Sequence, residues 1–301
     1  MAMARIPKDR DGDERRTAAR RRPPVVISAR KLLAPLLLAL ACQSPTDAPP
    51  VTPDPVPVEV IIPSVPCAAD LGTFGGLQWK ARTQGMSGPG PNLWSACNAW
   101  LDSAGMHLRV SQRDIGWTSA EVYTSNSMGY GRYEFEISTR LDALDRNVVL
   151  GLFTYPGGGL DGQHEIDVEV SKFGATAANA SNLTYAVYPA TAMTTTQGRC
   201  ALRWDSTAPV SVHRFLWSAA SVVFQSFATK TVTASTAPYR AWSFKPTGTF
   251  AISSGSWPLR MNLWLFSGHP PTNGAPLEIV ISKVTYSSTL PTTPAPSTVC
   301  Q

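Results

Sequence analysis

Three acidic residues alternate with aliphatic ones in the run Glu-Ile-Asp-Val-Glu-Val at positions 165–170. Successive side chains of a β-strand point to opposite faces, so this spacing places Glu165, Asp167 and Glu169 on one face. Like charges side by side on a face repel each other, which makes the row unfavourable unless a site uses it. Catalysis by carboxyl groups is one use, whereas a Ca²⁺ site and a solvated strand face are the alternatives.

Two carboxyl groups about 5–5.5 Å apart can hydrolyse a glycosidic bond with retention of configuration. One attacks the anomeric carbon, and the other protonates the leaving oxygen and then activates water. Glu165 and Glu169 would have Cα atoms roughly 13 Å apart on a flat strand, so this chemistry requires a curved strand. Asp167 lies between them, where it can hydrogen-bond to one glutamate and raise the pKa of the acid.

The strands that must position this row are short and numerous. No long segment has the apolar period of a helix, and Gly, Pro, Ser or Asn separate many runs rich in β-formers. This pattern predicts an all-β sandwich or jelly roll. The predicted strands are Met106–Ser111, Arg132–Ser138, Asn147–Tyr155, Glu165–Val170, Leu183–Tyr188, His213–Trp217, Ser221–Phe227, Arg260–Phe266 and Leu277–Tyr286.

The run Val148–Phe153 is almost entirely apolar, which is typical of a strand covered on both faces. A Gly-rich turn at 156–159 and a short polar stretch connect it to the acidic run. The two are therefore expected to form an antiparallel pair.

The run Glu165–Glu169 resembles the E-x-D-x-E signature of glycoside hydrolase family 16, whose fold is a β-jelly roll. Segments 129–134, 152–155 and 260–264 are similar to the YGxYE, FFTY and MNLW strands of that family, in the same order. The resemblance implies two antiparallel sheets, like those of concanavalin A, with a concave substrate cleft. It also implies that Glu165 is the nucleophile, Asp167 the assisting acid and Glu169 the general acid/base.

The same resemblance implies substrate-binding roles for further side chains. They are Asn262 and Trp264 on the MNLW-like strand, Glu121 before the YG motif, Tyr155, and Tyr188 after the catalytic strand. His164, next to the predicted nucleophile, is a further candidate by its own chemistry, either to bind sugar or to tune the Glu165 carboxylate. Aromatic rings that stack on sugars and amides that donate to hydroxyls suit such a site. Trp264 can instead be a core aromatic, Asn262 an edge-strand amide, and His164 a strand-entry residue without a catalytic role.

The chain departs from the family pattern near these positions. Tyr123 stands where many members have a substrate-binding Arg, and Ala186 replaces an expected Asn. His164 occupies the position before the nucleophile where lichenases usually have Asp. These changes leave the reaction plausible and the choice of sugar open.

The N-terminal segment has the features of an export signal. Residues 1–42 combine a basic start, a short apolar run and a lipobox-like end at Cys42, the predicted lipidation site, with ordinary cleavage as the alternative. Of the 26 basic and 21 acidic residues, 10 and 4 precede Cys42, which leaves 16 and 17 and a net charge of −1. A nucleic-acid partner is therefore not expected, and a membrane would be contacted only through the lipid anchor.

The predicted organisation is a leader (1–42), a Pro-rich tether (43–66), a catalytic domain (67–286) and a Pro/Thr-rich tail (287–301). Four cysteines remain after Cys42, and an even number in an exported protein predicts disulfides. The expected pairs are Cys67–Cys300 and Cys97–Cys200, because Cys67 and Cys300 both lie where a tail meets the domain.

Together these features predict an exported, monomeric endo-glycosidase that is retained as an outer-membrane or cell-surface lipoprotein, or secreted. Its expected substrate is a β-linked polysaccharide, with β-1,3-1,4- or β-1,3-glucan favoured. The expected chemistry needs no catalytic cofactor or metal, and a structural calcium is left open. A transglycosylase on the same site and a non-catalytic carbohydrate-binding module are the alternatives.

Overall fold

A computed structural model describes residues 67–83, 85–158, 160, 162–190 and 198–291. The predicted leader, the tether, Cys42 and Cys300 lie outside the described residues, as does the tail beyond residue 291. Within the described ranges, no helix is both long and apolar enough to cross a membrane.

The first sheet contains eight antiparallel strands and carries the acidic run. Its pairing order is β1–β2–β7–β16–β9–β10–β11–β12. The strands are β1 (Asp70–Phe74), β2 (Leu77–Ala81), β7 (Gly116–Met128), β9 (Val148–Thr154), β10 (Ile166–Val170), β11 (Leu183–Val187), β12 (Arg199–Leu202) and β16 (Trp257–Leu265).

The second sheet contains seven antiparallel strands in the order β5–β6–β17–β8–β13–β14–β15. They are β5 (Ala99–Asp102), β6 (Gly105–Arg113), β8 (Gly131–Ile137), β13 (Ser211–Trp217), β14 (Val222–Phe227), β15 (Arg240–Phe244) and β17 (Leu277–Ser287). The short strands β3 (Gly85–Ser87) and β4 (Asn92–Trp94) extend β7, and 3-10 turns occupy Ala96–Asn98 and Phe266–Gly268.

The hydrophobic core lies between the two sheets. Alternate residues of the acidic strand, Ile166, Val168 and Val170, are buried in it. Contacts between strands of different sheets are aromatic as well as aliphatic, and the Tyr185 ring on β11 stacks on Phe224 of β14 with centroids 4.9 Å apart. Burial of these apolar faces leaves the opposite face of the first sheet for polar residues.

The predicted all-β jelly-roll sandwich is confirmed. Each of the nine predicted strands is present within a few residues, and β9 and β10 form the expected antiparallel pair. The sequence prediction missed β7, the longest strand, because buried polar residues such as Thr118 and Ser119 interrupt its apolar pattern.

The predicted disulfide pairing is wrong. Cys67 is bonded to Cys97, with Cα atoms 4.1 Å apart, which excludes both Cys67–Cys300 and Cys97–Cys200. Cys200 is disulfide-bonded as well. The prediction failed because it joined the two chain ends, whereas β1, which follows Cys67, contacts β5, which follows Cys97.

Candidate active site

The three acidic side chains lie on one face of the first sheet, which we call the carboxylate face. Asp167 and Glu169 belong to β10, and Glu165 immediately precedes it. Their aliphatic neighbours on β10 are in the core, so the alternation predicted from the sequence is present. Glu165 and Asp167 are buried, and Glu169 is partly exposed.

Burial raises the pKa of all three carboxyl groups, and their mutual repulsion raises it further for Glu165 and Asp167. A side-chain hydrogen bond between Asp167 and Glu165 lowers the pKa of Glu165 and raises that of Asp167. Asp167 therefore keeps the proton and donates a hydrogen bond through it to the Glu165 carboxylate. The arrangement leaves Glu165 as the anionic member of the pair.

Glu169 has a different electrostatic environment. Burial raises the pKa of Glu169, whereas the cationic guanidinium of Arg199 on β12 lowers it. Arg199 is exposed and pairs in register with Ala186, which in turn pairs with Asp167. The small Ala186 side chain thus separates the arginine from the acidic row.

The strand register places predicted binding residues in the same rows as the acids. Glu169 pairs with Gly151 on β9, Gly151 pairs with Asn262 on β16, and Asn262 pairs with Glu121 on β7. This row therefore crosses four neighbouring strands of the carboxylate face. The adjacent row runs Asp167, Phe153, Arg260 and Tyr123.

Gly151 makes room for the amide of Asn262. A Cβ atom at position 151 would lie 2.4 Å from Asn262 Oδ1, well inside van der Waals contact. Asn262 is buried, and neither of its amide atoms has a hydrogen-bond partner among the described residues. A buried amide with unused donors and acceptors is suited to a polar ligand.

Trp264 packs at one end of the carboxylate face. Only 6% of its surface is exposed, and it forms a small buried cluster with Trp94 and Val149. The partly buried Phe173 and Phe266 pack against this cluster. This burial favours the packing role of Trp264 over open stacking on a sugar. Its indole Nε1 has no hydrogen-bond partner among the described residues.

Glu121 lies on the carboxylate face and is held by two arginines. Its carboxylate oxygens accept hydrogen bonds from Arg82 Nη1 at 3.0 Å and from Arg260 Nη1 at 2.7 Å. Both oxygens are therefore engaged within the protein. Neither arginine belongs to the predicted site residues, although Arg260 precedes Asn262 and Trp264 with the same two-residue spacing.

Tyr188 bonds to Glu165 through the backbone, and His164 precedes Glu165 in the chain. The Tyr188 amide donates a hydrogen bond to the Glu165 carbonyl oxygen at 2.8 Å. Burial and, as a smaller cause, repulsion from the three carboxylates raise the pKa of the Tyr188 phenol. His164 adopts a left-handed φ of 59°, which few non-glycine residues do. Its Nδ1 lies 3.1 Å from Ser253 Oγ, its ring is 4.9 Å from Trp257, and burial lowers its pKa.

Comparisons with known proteins identify the fold. No family model matches the sequence, and no curated protein matches it. Among solved structures, a lichenase from a mouse hindgut metagenome has a TM-score of 0.53 at 17% identity over 73% of this chain and 97% of its own.

A Bacillus licheniformis β-glucanase has a TM-score of 0.53 at 19% identity and covers 72% of this chain and 95% of its own. A family 16 endo-glucanase from Bacteroides ovatus has a TM-score of 0.52 at 11% identity, over 69% and 94% of the respective chains. The chain therefore has a glycoside hydrolase family 16-like β-jelly-roll fold.

Proposed function

We propose that this protein is a retaining endo-glycosidase that hydrolyses β-glucan, with β-1,3-1,4 or β-1,3 linkages. The single observation that carries the proposal is the row of three carboxyl groups on one face of β10, in a fold shared with glucanases. The orphaned Asn262 amide in the same row as Glu169 supports a sugar ligand there.

The proposed reaction proceeds in two displacements. The Glu165 carboxylate attacks the anomeric carbon while Glu169 gives its proton to the departing glycosidic oxygen, so the C–O bond breaks and a glycosyl ester forms. Glu169, now ionised, takes a proton from water, whose oxygen displaces Glu165 from the anomeric carbon. Asp167 donates a hydrogen bond to the Glu165 carboxylate. The proposed reaction uses no cofactor.

The test is to incubate the purified protein with lichenan, laminarin, xyloglucan, agarose and carrageenan and to follow the anomeric configuration of new reducing ends by NMR. We expect cleavage of a β-glucan with the β-anomer formed first. Formation of the α-anomer first, or cleavage of none of the polysaccharides, would contradict the proposal. Longer products after addition of acceptor oligosaccharides would identify a transglycosylase instead.

The electrostatic effect of Arg199 leads to a prediction on pH dependence. In the wild type the Arg199 cation favours the ionised form of Glu169. Removing that charge in Arg199→Met should therefore raise the pKa of Glu169. Glu169 must be protonated as the general acid, so the alkaline limb of the kcat profile should move to higher pH. Arg199→Lys keeps the charge and should leave that limb in place, and an unchanged limb in Arg199→Met would contradict the assignment.

The close approach of Gly151 and Asn262 predicts a strong coupling between them. The added methyl group of Gly151→Ala should displace the amide and lower kcat/KM by roughly 10–100-fold. In an Asn262→Ala background the same methyl group meets no amide and should cost little. Kinetics of the double-mutant cycle measure this coupling, and additive effects would show that the amide has no role in substrate binding.

We also propose that the protein is exported and anchored through Cys42. The Cys67–Cys97 disulfide supports an oxidising compartment. Metabolic labelling with a palmitate analogue should mark the wild type and not Cys42→Ser, and labelling of both would contradict the proposal.

A further inference from the structure

A buried ionic bridge crosses the carboxylate face beyond Asn262. Glu121, whose side chain is only 4% exposed, binds Arg260 through one carboxylate oxygen and Arg82 through the other. Arg82 also packs over the Trp94 ring, with its Cζ 4.4 Å from the ring centroid. Because two partners hold Glu121, the positions of both guanidinium groups are fixed before any ligand arrives.

Arg260 is further enclosed by two tyrosines. Its Cζ lies 5.3 Å from the ring centroid of Tyr123 and 5.2 Å from that of Tyr155. Nη1 donates to Glu121, and Nε lies 3.4 Å from the Tyr155 carbonyl oxygen. Nη2 makes no hydrogen bond within the described part of the chain, and 17% of the Arg260 side chain remains exposed.

This guanidinium lies close to the reacting carboxyl groups. Arg260 pairs with Phe153 and Phe153 pairs with Asp167, so β16 is two strands away from the catalytic strand. Neighbouring strands are about 4.8 Å apart, which puts Arg260 roughly 10 Å from the acidic row. A glycan that crosses the face from Glu165 toward β7 would reach it after the sugar at the bond that is cleaved.

We propose that Arg260, Tyr123 and Tyr155 form a sugar subsite that determines chain-length preference, with Glu121 and Arg82 as positioning residues. The inference rests on the proposed glucanase function. Nη2 would donate to sugar hydroxyls, and the tyrosine rings would contact the apolar face of the sugar. The ligand is a sugar residue of the same glucan, because the inference rests on the proposed glucanase function.

The test uses activated aryl β-glycosides that carry one to four glucose units. In the wild type, kcat/KM should rise as the glycan becomes long enough to reach the subsite. Arg260→Met should lose about tenfold in kcat/KM on the longest substrate, mainly through KM, and less than twofold on the shortest substrate that is turned over. Arg260→Lys should not restore the loss, because an ammonium group lacks the planar fork.

A matched control is Arg214→Met in the second sheet. Arg214 is buried, its Nη1 lies 3.3 Å from Glu134 Oε2, and its Cζ lies 4.7 Å from the Phe227 ring centroid. It should lose stability to thermal unfolding as Arg260→Met does, yet keep the wild-type dependence on chain length. An equal loss on every substrate in Arg260→Met, or no loss on any, would overturn the subsite.

Failure of the proposed function gives a separate result. If the wild type cleaves none of the glycosides, the glucanase proposal fails, and calorimetric titration of glucan oligosaccharides then tests the subsite alone. Tighter binding of long oligosaccharides by the wild type than by Arg260→Met would support it. Equal binding by both proteins, or no binding by either, would overturn it.

Discussion

Glu165→Gln is expected to lower kcat on a β-glucan by at least about 10³-fold while the protein stays folded. Glutamine is nearly isosteric with glutamate and can still accept the hydrogen bond from Asp167, but its amide cannot attack the anomeric carbon. Glu169→Gln removes the proton donor and should cost roughly 10²–10⁴-fold. Turnover measured alongside thermal unfolding separates lost chemistry from lost folding.

Small anions should distinguish the two roles. With an activated aryl glycoside, azide can replace the missing carboxylate in Glu165→Ala, attack the anomeric carbon directly, and yield the α-glycosyl azide. In Glu169→Ala the glycosyl ester on Glu165 still forms, so azide should displace it and yield the β-glycosyl azide. The opposite stereochemistry in either variant would reverse the assignment of the two glutamates.

Asp114→Asn is the matched control for these substitutions. Asp114 lies exposed in the turn between β6 and β7, outside the carboxylate face, so the same type of change should leave kcat unaltered. Wild-type kcat in both glutamine variants would refute catalysis by this row of carboxyl groups.

The largest expected effect on stability comes from His213, which is fully buried between the sheets. The His213 Nδ1 lies 2.7 Å from Ser226 Oγ, and its Nε2 lies 3.0 Å from Ser211 Oγ. Ser226 Oγ also accepts a hydrogen bond from the Tyr185 hydroxyl. Burial lowers the pKa of His213 from 6.5 to about 3. The ring is therefore neutral in the folded protein at every pH near neutrality.

The sign of the linkage follows from this depressed pKa. Below pH 6.5 the unfolded chain binds a proton at this histidine and the folded protein does not, so acid favours unfolding. At pH 5 the loss from this one group is about 2 kcal/mol, and it continues to grow toward pH 3. Urea denaturation at pH 7.5, 6 and 5 should show this loss in the wild type relative to His213→Gln, which cannot titrate.

His107 provides a control of opposite sign. Burial alone would lower its pKa, but hydrogen bonds with Glu278 at 2.7 Å and Asp102 at 2.9 Å raise it above 6.5. Its contribution is complete below pH 6.5 and is lost as pH rises through the folded pKa. His107→Gln should therefore make the decline toward acid steeper, whereas His213→Gln makes it shallower. Identical pH dependence in both variants would contradict the two assignments.

The sequence was most informative where local pattern and burial agree. Alternation of acidic and aliphatic residues in β10 and the apolar run of β9 each reflect one strand and the core it faces, so both could be predicted from neighbouring residues alone. β7 could not, because its polar side chains are buried by β2, β4 and β16, which lie far from it in the chain. Burial of a polar residue is a property of its partners in space.

The amino-acid sequence by itself determined the all-β class, the acidic strand and the chemistry its carboxyl groups can perform. Only the tertiary structure decided that β16 and β7 follow β9 across the sheet, because these pairings join residues more than 100 positions apart, as for Phe153 and Arg260. The same applies to Cys67–Cys97 and to the bridge of Glu121 with two arginines. Such contacts depend on register and packing between distant segments, and local sequence patterns do not encode them.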